Sequence, residues 1–216
     1  MTSSFPFVNE LNSVQHIREN AALGKVRNLI EAAEAELIAG HGQFEMQAVA
    51  KRAHVSVGLA YHHFGSKAGL IAAVVEAFYQ RLDEAVFSNI KWPSESWAER
   101  ERGRIGAYIA FHYADPFALL VIGSMSRAPE VLDVEKAFTD RQLAAGARML
   151  DEARRLGVIS DDADPHLTIA MMIGGIRQAV VGALMQDPRP DPENLTNDIW
   201  AFMSAALRLT KGKSSV

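Results

Sequence analysis

From Lys25 almost to the C-terminus, apolar residues recur at helical spacing, and no segment sustains the apolar–polar alternation of a half-buried strand. That periodicity restricts the 216-residue chain to an all-α fold. The length suits one large domain or two modest ones, with a core that needs no covalent staple. Asp-Pro pairs at Asp115-Pro116, Asp164-Pro165 and Asp191-Pro192 punctuate the pattern. An Asp N-cap accepts a hydrogen bond from one partnerless amide of the first turn, and Pro at the next position removes another. Each pair therefore opens a helix. Ser96 with Glu99 reads as a capping box, and Gly157, after Arg154-Arg155-Leu156, reads as a helix stop. About nine helices are predicted, over 25–39, 46–53, 57–63, 67–90, 97–113, 116–126, 129–156, 165–186 and 192–210, after an N-terminal extension 1–24 that forms a tail or a short extra helix.

Within this pattern the segment Met46 to Phe64 stands apart. Val49 and Ala53 lie one turn apart and face a core, while Ala50 is small enough to let a second helix cross closely. Val55 and Ala60 supply apolar contacts to that crossing, and Ser56 is a natural N-cap for the second helix. A short helix, a tight turn and a capped helix crossing the first form a helix-turn-helix. Its second helix fits the DNA major groove, where its first residues reach base edges.

The run Val55-Ser-Val-Gly-Leu-Ala-Tyr-His-His-Phe-Gly-Ser-Lys-Ala-Gly-Leu70 resembles the signature of the TetR/AcrR family of transcriptional regulators, and Ile30-Glu-Ala-Ala33 and Val49-Ala50 are similar to its first and second helices. The likeness covers roughly residues 25–70. It implies a helix-turn-helix DNA-binding domain over 25–66 and a helical domain over 67–216 for effector binding and dimerisation. It also implies that Ser56, Val57, Gly58, Leu59, Tyr61, His62 and Lys67 form the DNA-binding set. Tyr61 and Lys67 would hold phosphates, His62 would face DNA, and His63 and Phe64 would pack against the first and fourth helices. Two departures bear on mechanism. His54 stands where the family usually has a turn glycine, so a left-handed backbone there would be strained. Val57 and Leu59 are apolar where polar base-readers are usual, so readout would lean on thymine methyls and on DNA shape.

The net charge of −4 does not advertise a nucleic-acid partner. Residues 1–70 hold six basic and six acidic side chains and five of the seven histidines, so that half is neutral and its few cations must face the phosphates. There is no cysteine, hence no thiolate chemistry. No apolar run is expected to span a membrane, and the polar start Met1-Thr2-Ser3-Ser4 lacks the order of a signal peptide, so the expected location is the cytoplasm. His62 and His63 point about 100° apart on a helix and do not converge on a metal. Neither a glycine-rich phosphate loop nor a nucleophile elbow is present, and Gly174-Gly175 follows no strand, so no enzyme, metal or cofactor is expected.

The second half carries large apolar residues beside two polar groups, His112 and Arg177. A small-molecule pocket is expected among Phe78, Tyr108, Phe111, His112, Phe117, Met125, Met171 and Arg177, suited to an anionic or carbonyl-bearing compound with an apolar body. The helix after Pro165 is apolar nearly all round and must be covered on more than one side. Leu195, Ile199, Phe202, Ala206 and Leu209 form a bundle seam. Helices 165–186 and 192–210 from two chains would make a four-helix homodimer interface. The combined expectation is a dimeric repressor of double-stranded operator DNA, released by an unknown small-molecule effector. The alternative is a dimeric DNA-binding protein with no effector.

Overall fold

The computed structural model describes residues 6–88, 96–159 and 164–209, with the backbone alone for 6–22 and 88. The fold is all-α: no strand occurs among the described residues, only one bridge between Ile159 and Leu209. Among the described residues eight α-helices follow one another: α1 (Pro6–Ala39), α2 (Met46–Arg52), α3 (Val57–Phe64), α4 (Lys67–Asp83), α5 (Trp97–Ala114), α6 (Leu132–Arg155), α7 (Pro165–Leu184) and α8 (Pro192–Ala206). The chain divides into two compact units, Met1–Ala77 and Phe78–Val216.

In the first unit α1 begins at Pro6, so residues 6–24 continue the helix expected from Lys25; residues 1–5 lie outside the described set. Leu29, Ala33 and Leu37 of α1, Val49 and Ala50 of α2, Ala60 of α3 and Leu70 and Val74 of α4 are fully buried together as the core. Large members of such a core each contribute about 1.5–3 kcal/mol through removal of apolar surface from water. The turns are closed by backbone chemistry. At the end of α2 the Val55 amide donates to the Ala50 carbonyl (3.0 Å) and the His54 amide to Lys51 (3.2 Å), with His54 at φ +54°. This is the paired-bond helix stop that normally places glycine in the left-handed position. Gly69 is required for a different reason: a Cβ there would collide with the Phe64 carbonyl oxygen.

The second unit is assembled by its caps. The Ser96–Glu99 capping box is complete, the Glu99 amide donating to Ser96 Oγ and the Ser96 amide to Glu99 Oε2. Asp164 accepts from the His166 amide and Asp191 from the Asn194 amide, both at 2.9 Å, and so open α7 and α8. Asp115 accepts from the Phe117 amide (2.8 Å), but no full α-helix follows over the expected 116–126. The chain instead makes a π turn at Leu120–Ser124 and 3₁₀ turns at Met125–Arg127 and Pro129–Val131. There the Ser124 hydroxyl donates back to the Leu120 carbonyl and competes with the helical ladder. A π turn at Glu84–Ser88 likewise replaces the end of the expected 67–90 helix. α6 stops at a left-handed Gly157, with the Val158 amide donating to Ala153 and the Gly157 amide to Arg154. α6 and α7 cross at Gly146, where a Cβ would collide with Ile169.

α7 corrects one expectation. Its 20 residues carry a window of mean hydropathy 1.6, long and apolar enough by length and composition to cross a membrane, and 28% of that window is buried inside the chain. Glycine, alanine and methionine between the branched residues make the run continuous. Leu167, Met171 and Met185 on or just beyond α7, and Phe202 on α8, are exposed, Phe202 at 70%. α8 turns Thr196, Ile199 and Met203 inward. Of the expected seam Leu195, Ile199, Phe202, Ala206 and Leu209, only Ile199 is buried in its own chain.

Candidate nucleic-acid interface and ligand cavity

α3 is a two-turn helix fixed at both ends and in the middle. Ser56 caps it by accepting from the Leu59 amide (3.2 Å), Ala60 is fully buried, and Gly65 at φ +72° ends it. With Ala60 inward, Gly58, Tyr61 and His62 are exposed, and Val57 and Leu59 are half-buried. Tyr61 is 45% exposed and its hydroxyl has no partner among the described residues. At Gly58 the site of a missing Cβ meets nothing within 4 Å, so the backbone itself is open to whatever docks on this face. The face thus offers hydroxyl, imidazole and backbone donors beside two apolar side chains. That is the chemistry of phosphate and major-groove contact.

Lys67 stands at the first position of α4, half-buried, with its ammonium 4.9 Å from the centre of the Phe44 ring. The ring holds the side chain without neutralising it. Ser66 caps the same helix, accepting from the Gly69 amide (3.0 Å). Arg52 is committed elsewhere, its Nε donating to Glu36 at 2.7 Å and tying α2 to α1. The His62 and His63 rings meet edge to face at 5.4 Å, and no group of metal-ligating side chains occurs among the described residues. His63 and Phe64 are half-buried.

The second unit contains a cavity of about 690 Å³. Its long wall is one face of α5, where Trp97, Arg100, Glu101, Arg104, Ile105 and Tyr108 recur every three to four residues. Opposite lie residues of α6, and Ile169, Ile173 and Ile176 of α7 and Met203 of α8 complete it. Of the eight residues expected at a pocket, the structure brings Tyr108 and Arg177 to this cavity. Phe78, Phe111, His112 and Phe117 instead form a cluster of their own, with Phe78 5.3–6.1 Å from the other three rings. Met125 is buried away from the lining, and Met171 is 62% exposed. The arginines at 100, 104, 148 and 155 were not singled out from the sequence, although the α5 members follow the same helical spacing as the apolar stripe.

The polar groups here are strongly perturbed. Arg177 donates to Glu135, and the Tyr79 hydroxyl donates to the same carboxylate. Burial alone works against the Arg177 charge, but Glu135 more than offsets it and the guanidinium is held charged. Burial and the Glu135 charge raise the Tyr79 phenol, and burial pushes Tyr108 up to about 12. Glu101, also raised by burial, sits between Arg100 (3.5 Å) and Arg104 (2.5 Å). His112 is 1% exposed and is lowered to about 4, chiefly by burial. Its Nδ1 lies 2.8 Å from the Tyr108 carbonyl, whereas Nε2 is buried with no partner. The ring is therefore the neutral Nδ1–H tautomer, with Nδ1–H donating to that carbonyl.

Residues 29–74 match the family described as bacterial regulatory proteins, tetR family. No curated protein sequence matches the chain. Among solved structures it is similar to the fatty acid degradation regulator FadR from Bacillus halodurans, with a TM-score of 0.73 and 20% identity over 86% of this chain and 97% of that one. FadR from Bacillus subtilis in complex with stearoyl-CoA gives 0.69 and 20% over 83% and 98%. SmeT, the repressor of the Stenotrophomonas maltophilia multidrug efflux pump SmeDEF, gives 0.70 and 21% over 87% and 91%. At these identities the likeness is one of fold.

Proposed function

We propose that this chain, a DNA-binding regulator that belongs to the tetR family of bacterial regulatory proteins, is a cytoplasmic repressor that holds its operator as a homodimer and leaves it when a small molecule fills the second-unit cavity. The observation that carries the reading is the coexistence of two features in one chain. One is the capped α3, with Gly58, Tyr61 and His62 presented outward. The other is a cavity of about 690 Å³, within the size range of small-molecule sites. The cavity favours this reading over a dimeric DNA-binding protein with no effector. FadR, bound to stearoyl-CoA, and SmeT, a repressor, are similarly built and support it by analogy.

In this reading Ser56, Tyr61 and Lys67 hold phosphates, His62 and the α3 amides reach base edges, and Val57 and Leu59 meet thymine methyls. The exposed Leu167, Met171, Met185 and Phe202 form the surface that a second copy covers, as unpartnered apolar faces of this kind require. α4 carries Lys67 at its start, and its later residues Tyr79 and Leu82 line the cavity. A ligand that prefers one tilt of that helix shifts the spacing of the two α3 helices, by no more than its differential affinity for the two states.

The test is selection of bound duplexes from fragmented genomic DNA, followed by sedimentation and gel shift with the selected site. Two chains or a multiple of two per site, steep loss of affinity with salt and release by at least one small molecule are expected. A persistent monomer, or equal affinity for random duplex at physiological salt, would sink the reading.

A further inference from the structure

We infer that the ligand of this cavity is an elongated amphipathic anion, its apolar body lying along α5 and its anionic head at the Arg148–Arg155 end, away from Arg177. The inference rests on the effector reading above and adds the class and the orientation of the ligand.

Shape comes first. The lining runs along α5 from Trp97 to Tyr108, eleven steps of about 1.5 Å, or about 16 Å of helix. Between those ends α5 presents Arg100, Glu101, Arg104 and Ile105, and α7 supplies the apolar part of the lining, Ile169, Met172, Ile173 and Ile176. Such a slot fits a linear chain better than a compact ring system.

Charge decides the head group. Five arginines line the cavity against two acids, Glu101 and Glu152. Arg177 is the arginine that the sequence singles out, yet it is spoken for: it pairs with Glu135 and also donates to the Ile122 carbonyl. At the other end Arg100 is shared between Glu101 and Glu152, both at 3.5 Å, and Arg104 is held by Glu101. Those four charges cancel. Arg148 and Arg155 remain. Arg148 has no hydrogen bond or ion pair among the described residues, and Arg155 reaches only the Asp151 carbonyl, at 3.4 Å. Both are exposed, so their charge stands at the mouth rather than in the slot. Along α5, Trp97 Nε1 and Arg104 Nε are buried donors with no acceptor. These unmet groups and the two arginines are all donors, so a ligand is asked for an acceptor-rich, negative head. At the far end the Tyr108 hydroxyl, also without a partner among the described residues, tolerates a chain terminus or a single polar group.

The experiment uses the full chain and four probes of equal length: dodecanoate, dodecyl phosphate, dodecan-1-ol and dodecylamine. Two of the three tryptophans, Trp97 and Trp200, line the cavity, so intrinsic emission reports filling. At least one of the two anions should bind tenfold or more tightly than the alcohol and the amine, and comparing the two anions separates a carboxylate from a phosphate head. In an Arg148→Ala/Arg155→Ala variant the loss should be at least tenfold larger for the anion than for the alcohol. These residues are exposed, so folding is not at stake. Equal binding of alcohol, amine and anion, or an anion preference that survives the double substitution, overturns the inference. Binding of none of the four also overturns it. Operator release by a different compound class would then leave the effector reading standing, whereas release by no compound at all would remove that reading too.

Discussion

Arg177 of α7 donates to Glu135 of α6, and this pair, with the Tyr79 hydroxyl on the same carboxylate, is the ionic tie between those helices beside the cavity. Both charges are largely removed from water, the side chains being 25% and 15% exposed. Losing one partner leaves the other uncompensated, which costs far more than the net value of the pair. Arg177→Ala is expected to lower stability by about 2–3 kcal/mol, reduced from the fully buried case by the residual exposure. Arg177→Met combined with Glu135→Leu should recover most of that loss. Urea midpoints at unchanged m-value check both expectations. A double variant no more stable than the single one would show that the pair contributes net stability.

His54 gives a test of local strain. It adopts φ +54° at the stop between α2 and α3, a conformation that disfavours any residue with a Cβ. Glycine removes that penalty but costs the unfolded chain more entropy, so His54→Gly should stabilise by about 1 kcal/mol or less. His54→Val, branched at Cβ, should destabilise. Thermal melts of the three proteins decide it, and a destabilising glycine would mean that the imidazole makes a contact worth more than the strain.

The sequence carried most of the first unit because its determinants are local. Ser56 and His54 each act through neighbours within five residues, and the small buried Ala60 follows the helical period, so pattern and turn chemistry were sufficient. The caps at Asp164, Asp191, Ser96 and Gly157 were legible for the same reason. The cavity was not, because a helical period locates a face only to within about one residue. Phe78 and Tyr79 are adjacent and about 100° apart. The first is buried among rings and the second lines the cavity. Likewise Met171 is exposed while Met172 lines the cavity. The arginines on the α5 wall belong to a polar-looking stretch that becomes part of a lining only through elements distant in sequence, α6, α7 and α8 among them. In the segment after Asp115 the Ser124 hydroxyl also bonds the Leu120 carbonyl four residues back.

Gly58 separates fold from DNA contact. It lies in the first turn of α3, is exposed, and has open space where a Cβ would stand. Nothing in the protein requires glycine there, and alanine is the better helix former by up to about 1 kcal/mol. Gly58→Ala should therefore leave the protein as stable or slightly more so. If the backbone of α3 approaches the duplex at this point, the added methyl intrudes on the contact, and operator affinity should fall tenfold or more. Melting temperature and gel shift, measured on the same preparation, give both halves. Unchanged affinity would move the DNA-facing side of α3 away from Gly58.

His112 sets an acid limit on the second unit. Folded, its pKa is lowered to about 4, and unfolded it returns to the ordinary imidazole value of 6.5. The folded state therefore binds the proton less readily than the unfolded one. The associated stability is present in full above pH 6.5 and is lost progressively as pH falls towards 4, a span worth about 3 kcal/mol. The structural reason is that charging the ring places a second N–H on Nε2, which is buried without an acceptor. Glu101, raised by burial, acts with the opposite sign at acid pH, since a carboxyl that prefers to be neutral loses stability as pH rises. It is present in both proteins when wild type is compared with His112→Leu, so it cancels in the difference. Altered packing against Phe78 and Tyr108 sets the variant's offset from wild type at neutral pH. The decisive quantity is how that offset changes with pH. Unfolding free energies from urea titrations should show the wild type losing ground on the variant between pH 6.5 and 4, with the difference level above pH 7. A difference that stays constant across that range would mean that the folded ring takes up its proton as readily as the unfolded one, so that burial does not lower it.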